Sequence, residues 1–359
     1  MESSQFREQI QRRVPVSVLT GFLGSGKTTV LNHLIQQPDL SRTLVIINEF
    51  GEIGLDHDLV AKSSEDVVVE MSSGCLCCTI RGDLAQTLRE APARFTQGEK
   101  PWFERVVIET TGLADPAPII HTLMTDSAIG RRYRLDGVIT TVDAVNGAQT
   151  LDSQIESVKQ AAVADRLLLT KTDLVEPGHL NVLRERLTGL NPGAPQLAAT
   201  GGVVDPKPLF DAGMYNPETK SPDVQNWLKE EAYQDPHDRH HGHHHQDHNN
   251  VNRHDDHIKA FCFTIDEPIR SDVLESWLEM MLTFRGEDFL RVKGIINVTG
   301  FDGPVVIHGV QHIFHPALPL GQWPSDDRRS RIVFVTRDIE ETFLRDTLKI
   351  FTDVAASVA

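Results

Sequence analysis

Apolar positions along the chain follow two rhythms, short runs or alternations that mark strands and a spacing near 3.6 that marks helices. Runs at 14–20, 43–48, 66–70, 105–108, 135–142, 166–169 and 195–199 predict strands. Between the first two, residues 29–37 place Val30, Leu31, Leu34 and Ile35 at helical spacing. Helices are also predicted over 83–95, with Asp83 in its first turn, and over 116–124, opened by Pro116, where the missing N–H is no loss. Two more are expected at 152–162 and 176–190. Strands alternating with helices build an α/β unit, a mostly parallel sheet with helices on both faces.

The rhythm fails from 201 to 231, which is rich in Pro, Gly and polar residues. The stretch 235–257 carries His237, His240, His241, His243, His244, His245, His248, His254 and His257, and Val251 is its one aliphatic residue. Such a stretch cannot bury a core and is expected to be disordered without metal. Pattern resumes with a strand at 258–265, a helix at 271–284 that Ser271 can cap, strands at 289–298, 304–312 and 331–336, and a helix at 339–351. This order, β-α-β-β-β-α, predicts a small α+β domain with its helices on one face of an antiparallel sheet. The expected organisation is a tail at 1–13, a first domain at 14–203, a linker at 204–257 holding the histidine tract, and a second domain at 258–359.

Composition adds exclusions. Apolar residues make up 40% of the 359 residues and charged ones 24%, ordinary for a globular protein. A formal charge of −16 argues against nucleic acid or an anionic membrane as partner. No apolar run approaches the length of a membrane span, and 1–13 lacks the apolar stretch of a secretory signal. Three of the four cysteines are Cys75, Cys77 and Cys78, which is no disulfide framework. A cytoplasmic protein is the expectation, with a homo-oligomer left open.

Candidate chemistry sits where predicted strands end. Gly21-Phe22-Leu23-Gly24-Ser25-Gly26-Lys27-Thr28 reads G-x-x-x-x-G-K-T, between a predicted strand and a predicted helix. The glycines let successive N–H groups turn inward as an anion-binding nest, and the helix dipole adds positive potential beneath it. Lys27 can reach the β and γ oxygens of a bound triphosphate, and the Thr28 hydroxyl is placed to ligate Mg²⁺. Glu109-Thr110-Thr111-Gly112 closes another apolar strand, where an acid can hold Mg²⁺ and the Gly112 N–H can approach a γ-phosphate. Lys27 and Glu109 are thus the candidate catalytic residues; none announces itself as a base for the attacking water. Thr170-Lys171-Thr172-Asp173 is similar to the N-K-x-D motif that reads guanine. The Asp173 carboxylate can accept from guanine N1 and N2, and the Lys171 stem can pack over the base. Thr170 stands where Asn is usual, which is expected to weaken that anchoring.

Cys75-x-Cys77-Cys78 offers three thiols in four residues, suited to Zn²⁺, Co²⁺ or Cu⁺. Joint ligation requires a bent loop, because successive strand positions face opposite ways. The fourth ligand can be water, a histidine or a carboxylate such as Glu52. Buried incidental thiols or a redox pair remain alternatives. The histidine tract can gather metal or merely solvate a linker, and Cys262, alone on an apolar strand, reads as core. Glu49 and Glu52 lie between the first two nucleotide motifs, where segments respond to γ-phosphate.

Together these motifs resemble the CobW-type P-loop GTPases, relatives of the hydrogenase and urease accessory GTPases. The resemblance rests on G-F-L-G-S-G-K-T-T (21–29), N-E-F-G-E-I-G (48–54), S-G-C-L-C-C (73–78), E-T-T-G-L-A-D-P (109–116), D-G-V-I-T-T-V-D-A (136–144) and T-K-T-D (170–173). Within the family, the wording resembles the bacterial YjiA-like branch. The resemblance implies that Gly24, Ser25, Gly26, Lys27, Thr28 and Thr29 hold phosphates, that Lys171 and Asp173 hold guanine, and that Cys75, Cys77 and Cys78 bind zinc or cobalt, with Glu52 nearby. It further implies GTP hydrolysis and delivery of metal to a client metalloprotein, and the lack of an evident base predicts that intrinsic hydrolysis is slow. A regulatory switch with a structural metal and a histidine-rich metal buffer are the rival readings.

Overall fold

The computed structural model describes residues 13–48, 67–70, 76–80, 83–98, 100–210, 257–314, 317–323 and 326–358. The first unit runs β1 (Val14–Gly21), α1 (Lys27–Leu34), β2 (Thr43–Asn48), β3 (Val67–Glu70), β4 (Leu76–Ile80) and α2 (Leu84–Arg94). A two-stranded hairpin, β5 (Thr96–Gln97) and β6 (Lys100–Pro101), leads to β7 (Arg105–Thr110), α3 (Ala117–Thr125), α4 (Ser127–Arg132) and β8 (Tyr133–Asp143). Then come α5 (Gly147–Ser153), α6 (Ile155–Ala162), β9 (Arg166–Thr170), α7 (Pro177–Leu190) and β10 (Gln196–Ala198).

Eight strands form one sheet in the order β10-β9-β8-β1-β7-β2-β4-β3. All neighbours are parallel except β3, which pairs antiparallel with β4 at the edge. Buried side chains alternate along each strand, so one apolar run serves two cores. Val16, Val18, Leu44, Ile46, Val106 and Ile108 pack under α2, α3, α6 and α7. Leu19, Val45, Ile47, Val107 and Leu168 pack on the other face against Val30, Leu31 and Leu34 of α1 and against Leu209 and Phe210. The α/β fold with helices on both faces is as the alternation implied.

Several boundaries differ, each for a local reason. Helix α1 begins two residues early because Gly26 is left-handed (φ 87°) and turns the chain straight from loop to helix. The single helix expected at 152–162 is broken at Gln154, whose extended backbone (φ −133°, ψ 107°) separates α5 from α6. The unforeseen α4 is nucleated by Asp126, whose carboxylate accepts from the Ala128 and Ile129 N–H groups. The cysteine segment, expected as a bent loop, carries strand β4 instead. The run Leu76–Ile80 has β2 beside it, and its backbone groups find a ladder there.

The second unit runs β11 (Ile258–Ile265), α8 (Ser271–Arg285), β12 (Phe289–Ile296), β13 (Val305–Val310), β14 (Ile313–Phe314), β15 (Leu318–Pro319), β16 (Ser330–Arg337) and α9 (Glu341–Val358). Its antiparallel strands are ordered β11-β16-β12-β13-β14, with β15 also on β13. One face buries Phe263, Phe289, Ile332 and Phe334 against Trp277 of α8 and Leu344 of α9. The opposite face turns Ile258, Leu290, Val310 and Val335 into the core of the first unit. The small sheet is therefore sandwiched between its own helices and the α/β domain.

An ion cluster seals that junction. Asp165, between α6 and β9, lies 2.6 Å from Arg291 Nη2 and 2.6 Å from Lys293 Nζ, both on β12. Its other oxygen accepts from the Val138 N–H at 2.9 Å. Burial opposes ionisation of Asp165, but Arg291, Lys293 and His308 overcome it and hold the carboxyl well below the usual range. The same burial pushes the Lys293 ammonium down to about 8, against the pull of Asp165.

Candidate nucleotide site

The loop from Gly21 to Thr28 closes over the C-terminal ends of the central strands, where ligands of open α/β sheets bind. Three hydroxyls tie it down. Ser25 Oγ lies 2.6 Å from Thr141 Oγ1 at the end of β8. Thr170 Oγ1 donates to the Ser25 carbonyl at 2.7 Å. At the start of the loop, Thr141 Oγ1 donates to the Thr20 carbonyl at 3.2 Å. Thr170 thus links the loop at 170–173 to the phosphate loop, so a hydroxyl anchors this corner where Asn is usual.

Lys27 Nζ donates to the carbonyls of Gly21 (2.8 Å) and Phe22 (3.1 Å). Burial lowers the pKa of this ammonium and Glu109 partly restores it. An incoming phosphate oxygen can take over these bonds within the nest. Thr28 Oγ1 donates to Glu109 Oε1 at 2.7 Å, across 81 residues of sequence. A hydroxyl and a carboxylate side by side are the hard oxygen donors that Mg²⁺ accepts, so these residues fit that ion.

Beyond Glu109, the segment to Pro116 lies against the phosphate loop. A Cβ on Gly112 would stand 2.6 Å from Leu23 N and 2.7 Å from Leu23 Cα, so glycine alone permits this approach. Thr110 Oγ1 donates to Thr20 Oγ1 at 2.8 Å. Gln160 of α6, 1% exposed, donates its amide to the carbonyls of Gly112 (3.2 Å) and Ala114 (3.0 Å). Asp115 Oδ1 accepts from the Ala117 N–H at 2.9 Å and fixes the start of α3.

At the end of β9, Lys171 is left-handed (φ 56°) and its ammonium donates to Asp143 Oδ2 at 2.7 Å. Burial raises the Asp143 carboxyl, but bonds from Lys171, Asn146 and the Val145 N–H outweigh it and the net shift is downward. Asp173 Oδ1 accepts from the Gly201 N–H at 3.4 Å. A cavity of about 270 Å³ opens among Phe22, Ser25, Thr141, Asp143, Asn146 and Lys171. A larger one, about 560 Å³, sits at the opposite pole around Phe103, Arg131 and Tyr133 and contains none of the sequence motifs.

Of the expected metal ligands, Cys77 and Cys78 occupy β4, paired with Val45 and Ile46 of β2. Cys75, Glu49, Glu52 and the histidine tract up to residue 256 lie outside the described residues. His257 is described, and its Nδ1 lies 2.7 Å from Asp338 Oδ1. Among the described residues no group of three or more His, Cys, Asp or Glu is placed to hold a metal. Cys262 is a buried core thiol on β11.

Sequence reasoning passed over Asp143, Thr141 and Gln160 as site residues. The first two do carry a signal, being polar residues at the end of a long apolar strand. Gln160 sits between Val158 and Ala161 on a buried helical stripe, and a lone amide there asks for a partner.

Residues 15–198 match the family described as "CobW/HypB/UreG, nucleotide-binding domain". Residues 258–352 match "Cobalamin synthesis protein cobW C-terminal domain". The chain is 30% identical over 332 residues to the "Zinc chaperone YjiA" of Escherichia coli K12, covering 92% of this chain and 96% of that protein. It is 34% identical over 218 residues to the "Zinc-regulated GTPase metalloprotein activator 1" of Schizosaccharomyces pombe, covering 58% of this chain and 51% of the relative. The crystal structure of the Zn(II)-bound YjiA GTPase from E. coli superposes with a TM-score of 0.70 at 29% identity, over 94% of this chain and 99% of that one.

Proposed function

We propose a working cycle on a plain premise: this chain belongs to the CobW/HypB/UreG family of GTPases and carries the CobW C-terminal domain. In the proposed cycle it is a nucleotide-gated carrier of zinc, with cobalt a second candidate cargo, that passes metal to a client metalloprotein. The phosphate loop and Lys27 bind the β and γ phosphates, while Lys171 and Asp173 take the guanine. Thr28 and Glu109 hold Mg²⁺, which when bound offsets the charge developing on the transferred phosphoryl group. Cys75, Cys77 and Cys78, with Glu52 nearby, take the cargo as thiolates. Residues 14–203 form the GTPase unit, onto which Leu209 and Phe210 also pack, the rest of 204–257 the histidine-bearing linker and 258–359 the unit that meets the client. We place this work in the cytoplasm; no helix among the described residues is long and apolar enough to cross a membrane.

One observation carries the reading. In the sheet register Cys78 pairs with Ile46, which pairs with Ile108, the residue before Glu109. The cysteine strand is therefore two strand spacings from the strand that ends in Glu109, roughly 10 Å at about 4.8 Å each. Only β2 separates them. A change at the γ-phosphate has a short, stiff route to the cysteine segment, and the similarity to a zinc chaperone and a zinc-regulated GTPase makes zinc the metal to test first. If GTP tightens metal binding, metal must tighten GTP binding by the same factor. The test is a Zn²⁺ titration of the purified protein with Mg²⁺ and a non-hydrolysable GTP analogue, set against GDP. Tighter zinc binding in the triphosphate form supports the cycle; equal affinities sink it.

A further inference from the structure

Between β13 and β14 the pairing of Val310 with Ile313 leaves Gln311 and His312 as a two-residue turn. Gln311 holds φ 52°, a left-handed backbone that costs a non-glycine residue stability. Its N–H is bonded to the Phe289 carbonyl at 2.7 Å, which ties the turn to β12. From that position its side-chain amide donates to Asp115 Oδ2 at 3.2 Å, across 196 residues of sequence. Asp115 lies three residues beyond Gly112, in the segment pressed against the phosphate loop. Glycine or asparagine would suit the turn better, but neither carries an amide long enough to make the same reach.

We propose that Gln311 is a positioning residue for GTP hydrolysis, through which the C-terminal domain holds the γ-phosphate-sensing segment 110–116 against the phosphate loop. Its own mounting is rigid. Arg291 and Lys293 pin β12 to Asp165, and the register of β12 with β13, Val292 against Gly309, carries that fixity to the turn. Gln160 grips the Gly112 and Ala114 carbonyls from inside the α/β domain. Gln311 grips the same segment from the other domain. A ligand or partner that shifts the C-terminal sheet therefore changes how Gly112 meets the γ-phosphate. The inference rests on the GTPase activity and on reading 110–116 as the γ-phosphate segment, and is independent of any metal cargo.

Steady-state GTP hydrolysis by the full chain, without added zinc, tests it. Gln311→Gly relaxes the turn and removes the amide. A single hydrogen bond to a carboxylate predicts a fall in kcat of roughly 10- to 10²-fold. KM for GTP should stay put and the thermal midpoint should be equal or higher. A merely structural role would lower the midpoint and leave kcat alone. Gln311→Glu sets a carboxylate against Asp115 and should lower kcat further; adding Asp115→Asn restores a donor and should recover it. Wild-type kcat in Gln311→Gly, or a loss that appears only in KM, overturns the proposal.

Discussion

Substituting Gly112 with alanine tests the contact between the γ-phosphate segment and the phosphate loop. The new Cβ would meet Leu23 N at 2.6 Å and Leu23 Cα at 2.7 Å. Ordinary carbon contacts are about 3.5–4.0 Å, so one side must yield by about 1 Å. The phosphate loop cannot easily do so, because Ser25 is bonded to Thr141 at 2.6 Å and to Thr170 at 2.7 Å. The segment at 110–116 moves instead, and the Gly112 N–H should leave the place proposed for the γ-phosphate. A displacement of that size costs roughly 10²-fold in the chemical step, or about 2.7 kcal/mol. Gly112 has no left-handed φ, so alanine strains no backbone there and the fold should persist. Single-turnover GTP hydrolysis should slow by about that factor, while GDP affinity, which makes no use of the γ-phosphate segment, should change less than about threefold. A variant that hydrolyses GTP at the wild-type rate would refute the reasoning.

Other predictions follow from the same geometry. Asp165→Asn leaves Arg291 and Lys293 facing each other without their counter-charge and should cost about 3–5 kcal/mol, a fall of roughly 6–15 °C in the thermal midpoint; an unchanged midpoint would contradict the sealed junction. The Asp165 carboxyl titrates lower in the folded chain than in the unfolded one, so its contribution is present above about pH 4 and is lost as pH falls further. For Lys293 the sign reverses: with a folded pKa of about 8 against an ordinary 10.5, the unfolded chain holds more protons between these values and stability rises with pH across that window. Chemical denaturation of Lys293→Met from pH 7 to 10.5 should show that rise flattened. Asp173→Asn should reduce the preference for GTP over ATP by roughly 10²-fold, the worth of two hydrogen bonds to a charged acceptor; ATP competition that matches the wild type would remove Asp173 from base recognition. Cys77→Ala should abolish tight zinc binding while deletion of 235–257 should spare it, and the opposite result would favour the histidine tract as the metal site.

What the sequence disclosed was chemistry with a local spelling. The phosphate loop needs glycines, Lys27 and Thr28 in fixed order, and Glu109 must end an apolar strand, so both could be read directly. The two-core architecture was legible because apolar strands alternating with amphipathic helices leave few other packings. The cysteine motif was recognisable as a residue pattern, but its backbone was not: the pull of β2 on Leu76–Ile80 is a tertiary contact that the expected loop took no account of. The break at Gln154 escaped because helical spacing continues across it. Least visible were the contacts between domains. Asp165, Arg291 and Lys293 look like ordinary solvated charges until β12 packs on the α/β unit, and no periodicity connects Gln311 with Asp115.

The central claim is that hydrolysis sets when the metal leaves. The most direct measurement loads the protein with Zn²⁺, Mg²⁺ and GTP, then follows phosphate and zinc release in one single-turnover experiment with a competing zinc indicator present. The account predicts that zinc appears with the rate constant of phosphate release and stays bound with a non-hydrolysable analogue. Zinc that leaves at the same rate with GTP, GDP and the analogue would contradict it.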